Sequence, residues 1–160
     1  MTRIKWPAMK HCNGTSITTS SGKFTFYADT RLSRKEAKKV CKKEGGILAP
    51  VTNRADLEAL HKFAIGCSNL GHRRYYFVGL DMFDPDTRYF TNGVVYDEEI
   101  HGSFYYVYNS KGKLPACWDT YLGTYPQSVK GMHTNYNKDC YPVENNFICL
   151  NPASSTPSCN

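Results

Sequence analysis

A disulfide-stapled α+β domain is the fold class this sequence predicts, on three observations. Seven cysteines stand in 160 residues, a density that fits an oxidising compartment. Two segments with helical spacing of apolar residues lie among aromatic and branched runs that read as strands. A long stretch over residues 97–139, rich in Tyr, Gly, Asn, Lys and Pro, holds neither period. The length suits one domain, able to bury about two-thirds of the surface its unfolded chain exposes. The bridges therefore reinforce a core and do not replace one.

Residues 13–23 are rich in Gly, Ser, Thr and Asn and read as a loop or linker. Lys23-Phe24-Thr25-Phe26-Tyr27-Ala28 alternates as a half-buried strand does. Ser33-Arg34-Lys35-Glu36 is a capping-box pattern that opens a helix, and Gly45-Gly46 supplies its stop. The inner face of that helix is expected to carry Leu32, Ala37, Val40 and Cys41. Its outer face is expected to carry Arg34, Lys35, Lys38, Lys39, Lys42 and Lys43.

Ile47-Leu48-Ala49-Pro50-Val51 reads as a short extended connection, because Pro50 biases Ala49 away from helix. Asn53 caps a second helix from Arg54 to about Ile65, with Leu57, Leu60 and Phe63 or Ala64 facing inward and Gly66 and Gly71 ending it. Tyr75-Tyr76-Phe77-Val78-Gly79-Leu80 suits a central strand. Asp84-Pro85-Asp86 is a turn, and Asn92-Gly93 turns a hairpin between Arg88-Tyr89-Phe90-Thr91 and Val94-Val95-Tyr96. After the irregular stretch, which is long enough to be functional in a compact domain, Phe147-Ile148-Cys149-Leu150 forms a final strand. Pro152 to Ser158 has the composition of a linker or stalk.

The formal charge of +6 favours acidic partners such as sulfated sugars, anionic surfaces or acidic proteins. Nucleic acid is not expected, since the cysteine usage points outside the cell. No CxxC pair or zinc-like Cys/His spacing occurs, so the cysteines read as bridges. The odd count leaves one over: Cys12 pairs with either Cys159 or Cys67, and the remaining thiol is available for a partner chain. No apolar stretch approaches the roughly 20 residues that span a bilayer. A soluble secreted protein, or the extracellular domain of one anchored elsewhere, is the expectation. Asn13-Gly14-Thr15 is a glycosylation sequon, which marks Asn13 as a candidate attachment site.

Four pieces, in order, carry a family resemblance. Ala37 and Cys41 form an Ala-x-x-x-Cys on the first helix. Gly46-Ile47-Leu48-Ala49 with Val51 follows it. Phe77-Val78-Gly79-Leu80 is an aromatic-Val-Gly-Leu strand, and Asp139-Cys140 leads to a closing Phe147-Ile148-Cys149. Together they resemble a C-type lectin-like domain over residues 23–150. An N-terminal extension over 1–22 and a linker or stalk start over 151–160 would flank it. The resemblance implies an α+β fold in which two helices flank small antiparallel sheets and a long irregular loop. It also implies two nested bridges, Cys41–Cys149 and Cys117–Cys140.

Many members of that family bind sugars through calcium, which requires several hard oxygen ligands. The expected acid-Pro-amide triplet is missing from Tyr108-Asn109-Ser110-Lys111-Gly112-Lys113-Leu114-Pro115. The second ligand motif is broken at Asn135-Tyr136-Asn137-Lys138-Asp139, where Lys138 places a cation. No cofactor is therefore the favoured expectation, with bound calcium kept as the alternative. Asp81, Asp84 and Asp86 read as turn residues, and Asp97, Glu98 and Glu99 as an acidic cluster at the start of the loop.

Aromatic side chains contribute interface area with few rotamers to freeze. The candidate ligand-binding residues are accordingly Tyr105, Tyr106, Tyr108, Tyr121, Tyr125 and Tyr136, with His133, Asn135 and Asn137. The basic helix is a second candidate surface, for heparan-type chains. No nucleophile–base or metalloprotease motif occurs, so no enzyme is expected. The expected function is extracellular recognition of a protein ligand, or of a cell-surface glycan without the usual calcium geometry. The alternative is a calcium-dependent or sulfated-glycan lectin. A disulfide-linked or non-covalent oligomer is compatible with either.

Overall fold

The computed structural model describes residues 12–67, 75–84, 87–102, 105–107, 117–123, 132–137 and 144–153. The chain enters as strand β1 (Thr15–Thr19), which pairs antiparallel with the long β2 (Gly22–Ser33). The loop reading of residues 13–23 is therefore corrected over 15–19 and 22–23. Thr favours strands whereas Ser favours turns, so the mixed composition does not decide this segment. Ile17, the one apolar residue of β1, packs against the core.

Along β2, Phe24, Phe26 and Ala28 are buried and alternate with more exposed positions, as the pleat demands. Helix α1 (Arg34–Lys43) starts where expected, with the Ser33 hydroxyl accepting from the Glu36 N–H at 3.2 Å. Its buried positions are Ala37 and Cys41. Next come β3 (Ile47–Leu48) and α2 (Arg54–Cys67). The Asn53 Oδ1 accepts from the Asp56 N–H at 2.8 Å at the start of α2. This helix runs through Gly66 to Cys67 and does not stop at the glycine.

Strands β4 (Tyr75–Phe77), β5 (Leu80–Asp84) and β6 (Thr87–Phe90) follow. β5 and β6 form an antiparallel pair, and Pro85 and Asp86 of the turn between them lie outside the described residues. The Asn92-Gly93 turn forms, with Gly93 at φ +87° and its N–H donating to the Phe90 carbonyl. Only a single Tyr89–Val95 bridge follows it, in place of a full returning strand.

Residues 97–139 are not without regular structure, as the sequence suggests. The segment carries a short helix α3 (Glu98–His101) and strands β7 (Tyr105–Val107), β8 (Cys117–Gly123) and β9 (Met132–Asn137). The final strand is β10 (Glu144–Pro152), whose last two residues, Asn151 and Pro152, still pair with β2.

The main sheet has the order β1-β2-β10-β4-β8-β9-β7, with β3 added to β10. β10 is its axis, antiparallel to β2 and β3 and parallel to β4. It is buried on both faces, which explains its unbroken apolar run. Phe147 and Cys149 face a cluster with Ala37, Cys41, Leu48 and Phe77. Ile148 and Leu150 face the larger cluster with Phe24, Phe26, Leu57, Leu60 and Tyr76. The two helices thus cover opposite faces. Cys41 and Cys149, both fully buried, are joined by a disulfide across the α1 face. Cys12 is also disulfide-bonded, to a partner outside the described side chains.

Gly79 explains the aromatic-Val-Gly-Leu motif. A Cβ there would lie 2.2 Å from the Leu48 carbonyl oxygen and 2.4 Å from the Thr91 Oγ1. That close approach lets the Gly79 N–H reach the Ala49 carbonyl at 2.6 Å while the Thr91 N–H donates to the Gly79 carbonyl at 2.9 Å. Among the described residues, no helix is long and apolar enough to cross a membrane.

Candidate functional site

Seven of the nine candidate ligand-binding residues lie on three adjacent strands. β8 pairs antiparallel with β9, and β9 runs parallel to β7. The register sets Tyr121 opposite His133 and His133 opposite Tyr106, so these three form one row across three strands. Neighbouring rows set Asp119 against Asn135, Trp118 against Tyr136, Cys117 against Asn137 and Tyr105 against Met132. The sequence supplied the residue types but not this row, which depends on a parallel β7–β9 pairing that no local pattern announces. Tyr108 and Tyr125 lie outside the described residues, as do Cys140 and hence the Cys117–Cys140 pairing.

The segment leading into β7 is held by a cluster that sequence reasoning missed. Asp97 caps α3, its carboxylate accepting from the Glu99 N–H. His101 is buried, with its ring edge-on to Phe90 at 4.9 Å and tilted against Tyr96 at 5.4 Å. Its Nδ1 accepts from the Asp97 N–H at 2.8 Å, which requires that nitrogen to be unprotonated. Burial of the ring holds its pKa below the usual histidine value, against the Asp97 charge that would raise it. The Tyr96 hydroxyl donates to Glu98 Oε2 at 2.9 Å, and Arg88 stands over the Tyr96 ring at 5.0 Å. Burial and the Glu98 carboxylate push the Tyr96 phenol above its ordinary range. The Asp97-to-His101 spacing of one helical turn, behind a cap residue, was the available signal.

The basic helix does not present six cations on one outer face. Arg34 is turned inward. Its Nη2 donates to the Leu80 carbonyl at 2.7 Å and to Asp81 at 3.1 Å, and its Nη1 donates to the Thr120 carbonyl at 3.3 Å. Lys38 reaches the same Asp81 oxygen at 2.7 Å. Burial alone would raise the Asp81 pKa, but the Arg34 charge and the hydrogen bonds from Lys38 and Arg34 outweigh it and hold the carboxyl below 3.8. Asp81 is therefore paired with two cations of this chain. Lys35, Lys39, Lys42 and Lys43 remain exposed, with Lys39 placed 3.6 Å from Glu36.

A calcium ion would need clustered hard oxygens. Among the described residues, no group of three His, Cys, Asp or Glu side chains comes together as a metal site. Along β9 the oxygen donors are the neutral amides of Asn135 and Asn137, with Asp119 across the register from Asn135. Among the described residues this part of the motif offers one carboxylate with two amides, by itself a weak donor set for a divalent ion.

Neither family models nor curated protein sequences match the chain. Solved structures do. The chain is similar to ovocleidin-17 of the Gallus gallus eggshell calcified layer at 18% identity and TM-score 0.62, covering 89% of this chain and 99% of that one. The C-type lectin domain of murine dendritic cell inhibitory receptor 2, solved in complex with N-glycan, matches at 17% identity and TM-score 0.59, over 86% and 96%. The carbohydrate-recognition domain of mouse scavenger receptor C-type lectin matches at 14% identity and TM-score 0.58, over 89% and 97%. Identities this low speak for the fold. Together with the Cys41–Cys149 bridge and the position of Gly79, they establish that this chain folds as a C-type lectin-like domain.

Proposed function

We propose that the protein is a non-enzymatic extracellular recognition module that binds a protein ligand through the β7–β8–β9 surface, without calcium. The observation that carries this reading is the Tyr106–His133–Tyr121 row, set in strands whose donor chemistry is poor for a divalent ion. Aromatic residues grouped on a rigid sheet contribute contact area at low entropic cost. A glycan bound by stacking, without the usual calcium geometry, would use the same row. The buried disulfide supports the extracellular assignment.

The test is a screen against cell-surface proteins and a glycan array, each run with calcium and with EDTA. The expected ligand survives EDTA and is lost in Tyr106→Ala and Tyr121→Ala variants whose melting temperature is unchanged. A simple sugar bound only with calcium and released by EDTA refutes the reading.

A second reading, sulfated-glycan binding, is favoured by the exposure of Lys35, Lys39, Lys42 and Lys43. It expects retention on heparin that is released by salt and lost when Lys39, Lys42 and Lys43 become Glu.

A further inference from the structure

The chain's N-terminal edge presents a problem that the sequon answers. β1 is the terminal strand of the sheet and, among the described residues, pairs with β2 alone. Edge strands offer unpaired backbone groups to other chains, and proteins protect them with charge, proline, bulges or a covering element. Thr15–Thr19 reads Thr-Ser-Ile-Thr-Thr. It has no charge and no proline, its register with β2 is unbroken, and Thr15, Ser16 and Thr18 are exposed. An uncharged segment of high β-propensity is a template for β-pairing.

Asn13 stands in the turn that opens this strand and is exposed. Its Oδ1 accepts from the Asp29 N–H and the Thr30 hydroxyl of β2, both at 3.3 Å. The carbonyl side of the amide is thus fixed against β2, while Nδ2 makes no hydrogen bond among the described residues. The adjoining Gly14 has φ +81°, and a Cβ there would meet no described atom within 4 Å. Two residues on, the Thr15 hydroxyl bonds back to the Cys12 carbonyl in the folded turn. A transferase that needs this hydroxyl free must act before β1 closes.

We infer that Asn13 carries an N-linked oligosaccharide and that this glycan guards the β1 edge against pairing with other copies of the chain. The donor is a lipid pyrophosphate-linked oligosaccharide of the secretory route. The new bond joins Asn13 Nδ2 to the anomeric carbon, the anomeric carbon–oxygen bond to pyrophosphate breaks, and the Nδ2 proton leaves to base. The inference rests on the extracellular reading for its setting, but not on the ligand or on calcium.

The experiment secretes the whole chain from eukaryotic cells and digests it with peptide-N-glycosidase, with mass spectrometry locating the site. Asn13 occupied, and converted to Asp on release of the glycan, is the expected result. Secreted protein without a glycan at Asn13 overturns the proposal. Endoglycosidase trimming of the folded protein then leaves every other group in place, so no folding defect enters. Light scattering is expected to show the mass doubling or rising further with concentration after trimming. Thr18→Lys, which places a charge on the edge, is expected to return the trimmed protein to monomer. Trimmed protein that stays monomeric at every concentration, or association that Thr18→Lys leaves untouched, refutes the guarding role. Loss of ligand binding without a change in mass would bear on the recognition surface and not on this edge.

Discussion

Arg34 is the side chain whose removal tests the architecture most directly. It is the first residue of α1, yet its guanidinium joins three elements: α1 itself, the Leu80 carbonyl and Asp81 carboxylate of β5, and the Thr120 carbonyl of β8. The side chain is only 13% exposed. It also lies 5.9 Å from the Phe77 ring centroid. Hydrogen bonds from a charged donor contribute about 1.5–3 kcal/mol each. The Leu80 carbonyl would lose its charged donor, whereas the Thr120 carbonyl would keep the Val78 N–H at 3.0 Å. The Asp81 carboxylate would keep Lys38, so that ion pair adds at most about 1 kcal/mol.

Arg34→Met, which retains the stem, is therefore expected to lose about 3 kcal/mol of stability. With an m-value near 2 kcal/mol/M, the urea midpoint falls by about 1.5 M at unchanged slope. Arg34→Lys recovers less than half of the loss, because one ammonium cannot span carbonyls on two strands. Asp81→Asn leaves both carbonyl bonds in place and costs about 1 kcal/mol. Equilibrium unfolding with the disulfides intact reads all three variants. A loss below about 1 kcal/mol for Arg34→Met, or full recovery by lysine, refutes the role of the fork-shaped donor.

Gly79→Ala drives a methyl into the Leu48 carbonyl and the Thr91 side chain and is expected to cost about 1–3 kcal/mol by the same unfolding assay; a neutral result contradicts the close approach. Replacing Cys41 and Cys149 together by Ala opens a bridge spanning 108 residues. In the chain-entropy account this costs about 4–5 kcal/mol, and a loss below about 2 would contradict it. His101 gives a pH dependence. Its folded pKa lies below 6.5, so the unfolded chain binds the proton more readily. The stability it contributes is complete above 6.5 and is lost as pH falls from there through the folded value. Melting temperatures measured down that range should fall in the parent, with a shallower fall in His101→Gln; parallel profiles refute the assignment. The Asp81 contribution has a separate window, since its folded pKa is below 3.8 and its stability is lost only in stronger acid.

The half of the fold that builds the core was legible because its signals are local. Ser33 caps α1 and Asn53 caps α2 at the expected places, and the Phe147 to Leu150 run is a strand buried on both faces. β8 and β9 were not legible. The alternation of β8 is carried by Thr120 and Leu122, both fully buried, and threonine at a core position does not announce itself. β7 has three residues, too few for a period. Arg34 was misplaced because helical spacing puts every position off the apolar stripe on an outer face. At the first turn of a helix, a long side chain instead reaches past the helix end to carbonyls of the sheet.

This division has a physical consequence for the proposed recognition surface. The core side is over-determined: β10 pairs with β2, β3 and β4, a buried disulfide ties it to α1, and Gly79 locks β3 against the chain after β4. The β7–β8–β9 side joins it through the β4–β8 ladder, with register Tyr75–Gly123, Tyr76–Leu122 and Phe77–Tyr121, and through the Arg34 bond to Thr120. Positions on β9 and β7 lie one and two strands farther out. Substitutions there fall outside the ladders that hold the core, whereas substitutions at the buried Thr120 or Leu122 reach into it. Binding and stability are therefore expected to separate at Tyr106 and His133 and to fall together at Leu122. A surface that can vary at this distance from the core is what a recognition module requires.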